Sequence, residues 1–233
     1  MLFPFFMGKE PTFLRRKICE ISSHLGRNLI FYLSDAIIAL MIKIIATTIL
    51  KMIGWQVSFS LPPRNKYVLV GAPHTSNWDF PLGLLAMWAS GLRCHWVGKH
   101  TLFKGPFGPT MRALGGIPVD RRESVGFTRK VIETFADRDK FVLAISPEGT
   151  RSLTKNWKGG FYRIALAAEV PIALGYIDYP RRQIGIDRMF EPSGDIESDF
   201  KILEEYYQNK IGKRPEKQGP VSVRTVSDDR STQ

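Results

Sequence analysis

Three short stretches of this chain hold the side chains that could do chemistry together. The first is "PHTSNWD", in which His74 and Asp79 stand five residues apart directly after the apolar run "YVLVGA". Histidine titrates near neutral pH and can take a proton from an alcohol. A carboxylate on its other ring nitrogen would fix the tautomer and stabilise the imidazolium. The pair is therefore a candidate general base. With four histidines in 233 residues, such a spacing also arises by chance, and His74 could instead cap the helix expected to begin near Asp79. The rest of the chain has to decide.

The second stretch is "SPEGTRS", Ser146 to Ser152. Gly149 permits a tight turn with N–H groups pointing outward, and Arg151 carries a planar, permanently charged fork suited to phosphate. Glu148 is either part of a ligand site or half of an ion pair with Arg151 or Arg121. The third stretch is "LGGIPVDRR", where two glycines and a short strand lead into Asp120, Arg121 and Arg122. Lys99, Lys104, Arg112, Arg129, Lys155 and Lys158 flank these blocks, and most of them read as solvated surface charge. No G-x-S-x-G elbow signposts a nucleophilic serine. No second histidine lies at ligand spacing from His74, and Cys19 and Cys94 form no CxxC or CxH pair, so no metal site is indicated. His95 and His100 belong to no block and read as structural or surface residues.

The elements that must position these groups alternate regularly from residue 55 onward. Strand-like "YVLVGA", "CHWVG", "GIPVD", "FVLAIS", "PIALGYIDY" and "RQIGID" are interleaved with helical "FPLGLLAMWAS", "GPFGPTMRALG", "SVGFTRKVIETFADR" and "GGFYRIALAAE". That alternation predicts a single α/β domain with a mixed, largely parallel sheet flanked by helices. In such sheets ligands collect at the carboxyl ends of the strands. His74 follows one strand and Ser146–Glu148 another, so both clusters fall where a site would form. Residues 195–209 predict a last amphipathic helix, and the polar stretch from Lys210 onward predicts a loose tail.

Before the α/β part, residues 12–28 predict a basic, polar helix, and residues 29–54 are the most apolar of the chain. Asp35, Lys43 and Lys51 interrupt that run, with Lys43, Thr47 and Lys51 on one helical stripe. Three arrangements fit: a helix lying in a membrane interface with its lysines toward headgroups, a helix packed on the domain, or one tilted span. The N-terminus lacks the features of a cleaved signal peptide. The net charge of +11 favours anionic partners, whether nucleic acid, membrane surface or an acidic substrate. No nucleic-acid-binding motif accompanies it.

Taken in order, the blocks resemble those of the glycerolipid acyltransferase family. "PHTSNWD" resembles the first block through His74, Ser76 and Asp79, and "GGIPVDR" is similar to the second through Gly115, Ile117, Asp120 and Arg121. "SPEGTRS" resembles the third closely and "VPIAL" (Val170–Leu174) the fourth in part, over about residues 55–190. Pro73, Pro118 and Leu174 depart from the family's pattern without touching the reacting groups. The resemblance implies a glycerol-3-phosphate acyltransferase-like fold and transfer of a fatty acyl group from acyl-CoA or acyl-acyl carrier protein to the hydroxyl of a lysophospholipid. The first candidate acceptor is 1-acyl-glycerol-3-phosphate, giving phosphatidic acid; another lysophospholipid or a lyso-amino-acid lipid is the alternative. A non-catalytic membrane- or nucleic-acid-binding module is the rival outside enzymes. The resemblance makes His74 the base and Asp79 its partner, and assigns substrate binding to Lys99, Arg121, Glu148, Gly149, Thr150 and Arg151. Backbone amides near Gly149 would face the oxyanion. It implies no metal or other cofactor and an enzyme associated with the membrane, its site on the cytoplasmic side. The expected division is 1–54 for membrane association, 55–209 for the acyltransferase domain and 210–233 for a polar C-terminal tail.

Overall fold

In a computed structural model, residues 36–223 are described apart from Pro62 and residues 121–123. The basic helix expected over 12–28, Cys19, Arg121, Arg122 and residues 224–233 lie outside the described residues. The strands are β1 (Gln56–Phe59), β2 (Lys66–Ala72), β3 (His95–Lys99), β4 (Gly116–Val119), β5 (Phe141–Ile145), β6 (Ile172–Asp178) and β7 (Gln183–Phe190). The helices are α1 (residues 36–52), α2 (Asp79–Ser90), α3 (Gly108–Ala113), α4 (Ser124–Asp137), α5 (Gly160–Ala167) and α6 (Ile196–Tyr207).

The strands form one seven-stranded sheet in the order β1-β7-β6-β2-β5-β3-β4. β2 to β6 run parallel, while β7 pairs antiparallel with β6 and carries β1 parallel to itself. The sheet is thus mixed and largely parallel. Its central strand β2 is a continuous apolar run because a parallel strand is covered on both faces. Val68 and Val70 point into a core built with Phe135, Phe161, Leu203 and Tyr207 of α4, α5 and α6. Tyr67 and Leu69, on the alternate positions, join Val142, Ala173 and Ile186 on the other face.

Two features differ from the sequence reading. β1 is an unforeseen edge strand, four residues long with only alternate positions half-buried, too weak a pattern to stand out. The stretch from Lys210, expected to be loose, packs against the domain as far as Val223. The Trp157 N–H donates to the Ser222 carbonyl at 2.7 Å, and Trp157 bridges to Val223. The Ser222 hydroxyl, Val221 and Val223 add side-chain contacts, and a polar composition signals none of them.

Helix α1 packs through a narrow stripe. Ala46 and Leu50 are buried against Leu82, Ala86, Ala89 and Ile184. At about 100° per residue, Ile38, Met41, Ile45 and Met52 face broadly away from that stripe. Of these, Ile38, Met41, Ile45 and Met52 are all exposed. Among the described residues, no helix is long and apolar enough to cross a membrane.

The carboxyl ends of β2 and β6 are braced from α6. The fully buried Tyr207 hydroxyl lies 3.0 Å from the Val70 carbonyl and 2.9 Å from that of Gly175. Tyr207→Phe should keep the ring packing, remove the one hydroxyl proton that the two carbonyls share and lower the unfolding free energy by about 1–3 kcal/mol. Urea unfolding of both proteins checks this, and equal midpoints would show that the hydroxyl contributes nothing.

Candidate functional site

The turn after β2 carries the first block. The Ala72–Pro73 peptide is cis, and His74 follows it. Asp79 is the first residue of α2, so its carboxylate sits at the positive end of the helix dipole. Its Oδ2 accepts from the N–H groups of Thr75 at 2.9 Å and Ser76 at 2.8 Å, folding the loop back over the helix start. That fold brings His74 Nδ1 within 3.1 Å of the same oxygen. The helix N-cap is Trp78, whose own side chain makes no capping hydrogen bond; its N–H donates to Ser76 Oγ at 3.2 Å, and the His74 ring faces Asp79 instead. Its ring is a quarter exposed and lines the cleft described below.

Asp79 is 4 % exposed. Burial pushes its carboxyl up, but hydrogen bonds from His74, Tyr179 and Ser76 outweigh this and hold it below the usual carboxylate range. The Tyr179 hydroxyl donates to Oδ1 at 2.7 Å. Tyr179 lies just past β6, 100 residues from Asp79 in sequence, and belongs to none of the blocks. Only the pairing of β6 beside β2 brings it near.

The third block leaves β5, the other neighbour of β2, at the same sheet edge. Here the structure changes the reading of Glu148. Its carboxylate is buried, with Oε1 accepting the His74 N–H at 2.9 Å and Oε2 accepting the Ser146 hydroxyl at 2.7 Å. Ser146, Pro147, Gly149, Thr150 and Arg151 line the cleft, and Glu148 does not. Glu148 thus ties the third block to the backbone of His74, and it makes no ion pair with Arg151. Burial drives its carboxyl above the ordinary range, against the opposing hydrogen bonds from Ser146 and the His74 backbone.

Gly149 adopts a φ of +64°, which suits glycine, and its N–H donates to the Ser146 carbonyl at 3.2 Å. That amide closes the turn. Thr150 accepts the Ser152 N–H at 3.2 Å. Arg151 and Lys99 are exposed on the cleft wall, Lys99 as the last residue of β3. Arg121 falls outside the described residues. Asp120, beside it, lies 3.9 Å from His100 Nδ1, so His100 borders the second block.

The C-terminal stretch completes the turn. The Arg214 N–H donates to Thr75 Oγ1 at 3.1 Å, and a Cβ on Gly212 would approach that same oxygen to 2.6 Å. Lys213 Nζ sits 4.9 Å from the centre of the Trp78 ring. No motif announces these contacts.

His74 and Asp79 open on a cleft of about 2030 Å³ that Ser146, Thr150 and Arg151 also line. Leu84, Met87, Trp96 and Val97 give it apolar walls, and Lys99, Arg129, Arg151 and Lys158 give it positive ones. Of the other aromatics, Phe103 is core beneath Trp96, whereas Trp78 and Phe107 are exposed. Among the described residues, no cluster of three or more His, Cys, Asp or Glu could hold a metal. An imidazole held by a carboxylate, in a cleft with apolar and cationic walls, is placed to take the proton of a hydroxyl on an amphiphilic anion.

A sequence-family model described as Acyltransferase matches residues 56–175, just over half of the chain. No curated protein matches the chain. Among solved structures, the fold is similar to the crystal structure of the 1-acyl-sn-glycerophosphate (LPA) acyltransferase PlsC from Thermotoga maritima. That likeness has a TM-score of 0.52 and 19% sequence identity, over 73% of this chain and 77% of that chain.

The raised Glu148 carboxyl carries a pH signature. A folded value above the unfolded one, near 4.5, means that the native state binds the proton more tightly. The stability this gives is complete below 4.5 and is lost as pH rises through the folded value. Glu148→Gln keeps an acceptor for the His74 N–H and cannot ionise. Relative to wild type, it should therefore gain melting temperature as pH rises, and parallel curves would show that burial costs Glu148 nothing.

Proposed function

The chain belongs to the acyltransferase family, and from that premise we propose that it moves a fatty acyl group from a thioester to the free hydroxyl of a lysophospholipid. The observation that carries this reading is the 3.1 Å approach of His74 Nδ1 to Asp79 on the wall of a cleft with both apolar and basic lining. With Nδ1–H donated to Asp79, Nε2 is left to take the proton of the acceptor hydroxyl. The oxygen then attacks the thioester carbonyl, the C–S bond breaks, and the imidazolium returns its proton to the departing thiolate. The acceptor's own hydroxyl is the nucleophile, so no acyl-enzyme forms.

The acceptor that suits the site best is 1-acyl-glycerol-3-phosphate, with phosphatidic acid as product. Its phosphate matches Lys99, Thr150 and Arg151 on the cleft wall, and the family resemblance adds Arg121 of the second block. Acyl-CoA or acyl-acyl carrier protein would serve as donor, and either anion is favoured by a net charge of +11. The exposed apolar face of α1 supports a membrane-surface enzyme whose residues 1–54 rest on the bilayer, with the site on the cytoplasmic side. Residues 55–209 would then form the catalytic domain, with 210–223 of the polar C-terminal part strapped across its active-site turn.

Purified protein given lysophosphatidic acid and either donor should yield phosphatidic acid, read by mass spectrometry. His74→Ala should lower the rate by about 10³-fold or more while the protein stays folded, as its melting curve would show. A folded His74→Ala enzyme with wild-type turnover would remove the base from the mechanism.

A further inference from the structure

We propose that Tyr179 is a positioning residue of the transfer reaction, fixing the plane of the Asp79 carboxylate so that one oxygen stays aimed at His74. This deepens the proposed mechanism and rests on His74 being its base.

The two oxygens of Asp79 are held very differently. Oδ2 gathers the Thr75 and Ser76 N–H groups and His74 Nδ1. Among the described residues, Oδ1 has the Tyr179 hydroxyl, at 2.7 Å, as its hydrogen-bond partner. The last side-chain torsion of an aspartate is soft and roughly two-fold. A carboxylate anchored through one oxygen can therefore tilt, taking the hydrogen bond to His74 out of line. A donor on the second oxygen removes that freedom.

The tyrosine is itself fixed from two distant parts of the chain. The ring of Trp55, just after α1, meets it edge-on with centroids 5.1 Å apart and planes at 89°. Lys213 Nζ, from the C-terminal strap, lies 6.0 Å from its centroid. Burial, and then the bond to Asp79, push the phenol far above its ordinary range, so it keeps the proton it donates to Asp79. Residues 55, 179 and 213 thus converge behind one carboxylate, and Tyr179 lies outside the 56–175 stretch that the family model matches. If Tyr179 merely satisfied a buried acid, its loss would change stability and leave turnover alone.

Tyr179→Phe keeps the ring and its Trp55 contact and removes only the hydroxyl. We expect kcat to fall about tenfold, the scale of one lost hydrogen bond to a charged group, with KM within about twofold. Asp79, short of one donor, would keep more charge for the imidazolium, so the acid limb of kcat/KM against pH should move to higher pH. The other charged groups at the dyad are Glu148 on the His74 backbone and Lys213 over Trp78 and Tyr179, and the substitution leaves both in place. His74→Ala is assayed beside it. Wild-type kcat and an unmoved acid limb in Tyr179→Phe, with His74→Ala inactive, overturn the role of Tyr179 alone. Retained activity in His74→Ala overturns the base assignment and this inference with it.

Discussion

A buried carboxylate needs donors, and Asp79 finds four: two backbone amides of its own loop, one imidazole and one phenol. Each donor comes at a structural cost that only the fold can meet. The amides require the loop after β2 to double back over the start of α2. The phenol requires β6 to lie beside β2, and the imidazole must leave the strand at the right residue. Removing the ionised carboxylate would leave these donors converging on an empty centre. The hydrogen bonds hold Asp79 charged despite its burial, and that charge gives the neighbouring histidine its direction.

Glu148 is the second buried acid at this sheet edge, and its environment acts the other way. It too accepts hydrogen bonds, but burial prevails and its carboxyl is raised. The two acids therefore divide the work of placing one residue. Asp79 holds the His74 ring and Glu148 holds the His74 backbone N–H. The parallel arrangement of β5, β2 and β6 makes this possible, because adjacent parallel strands deliver their following loops to the same edge. The C-terminal strap closes the arrangement through Thr75, fixing the turn from the outside.

The sheet was legible in the sequence where strands are buried on both faces. "YVLVGA" and "FVLAI" are unbroken apolar runs, and their ends place His74 and Ser146–Arg151 side by side. The spacing of His74 and Asp79 likewise announced a pair that the fold brings together. What stayed hidden depends on contacts between distant segments. An edge strand such as β1 has little burial to write into its sequence. Tyr179 looks like any tyrosine at a strand end until β6 is set beside β2. The direction of Glu148 could not be read either, since "SPEGTRS" names the residues of a turn without saying which face each one takes. The strap over residues 210–223 reads as a tail because its attachments, from the Arg214 N–H to Thr75 to the Ser222 contacts with Trp157, join segments far apart in sequence.

The most direct measurement is steady-state turnover of Asp79→Asn, made alongside its melting curve. The substitution preserves size and most of the loop's hydrogen bonds while removing the charge that orients the imidazole. With the fold retained, kcat should fall by about 10²- to 10⁴-fold, as it does when an orienting carboxylate is neutralised in other histidine-based sites. A folded Asp79→Asn enzyme turning over within a few-fold of wild type would contradict the account, because His74 would then need no carboxylate to do its work.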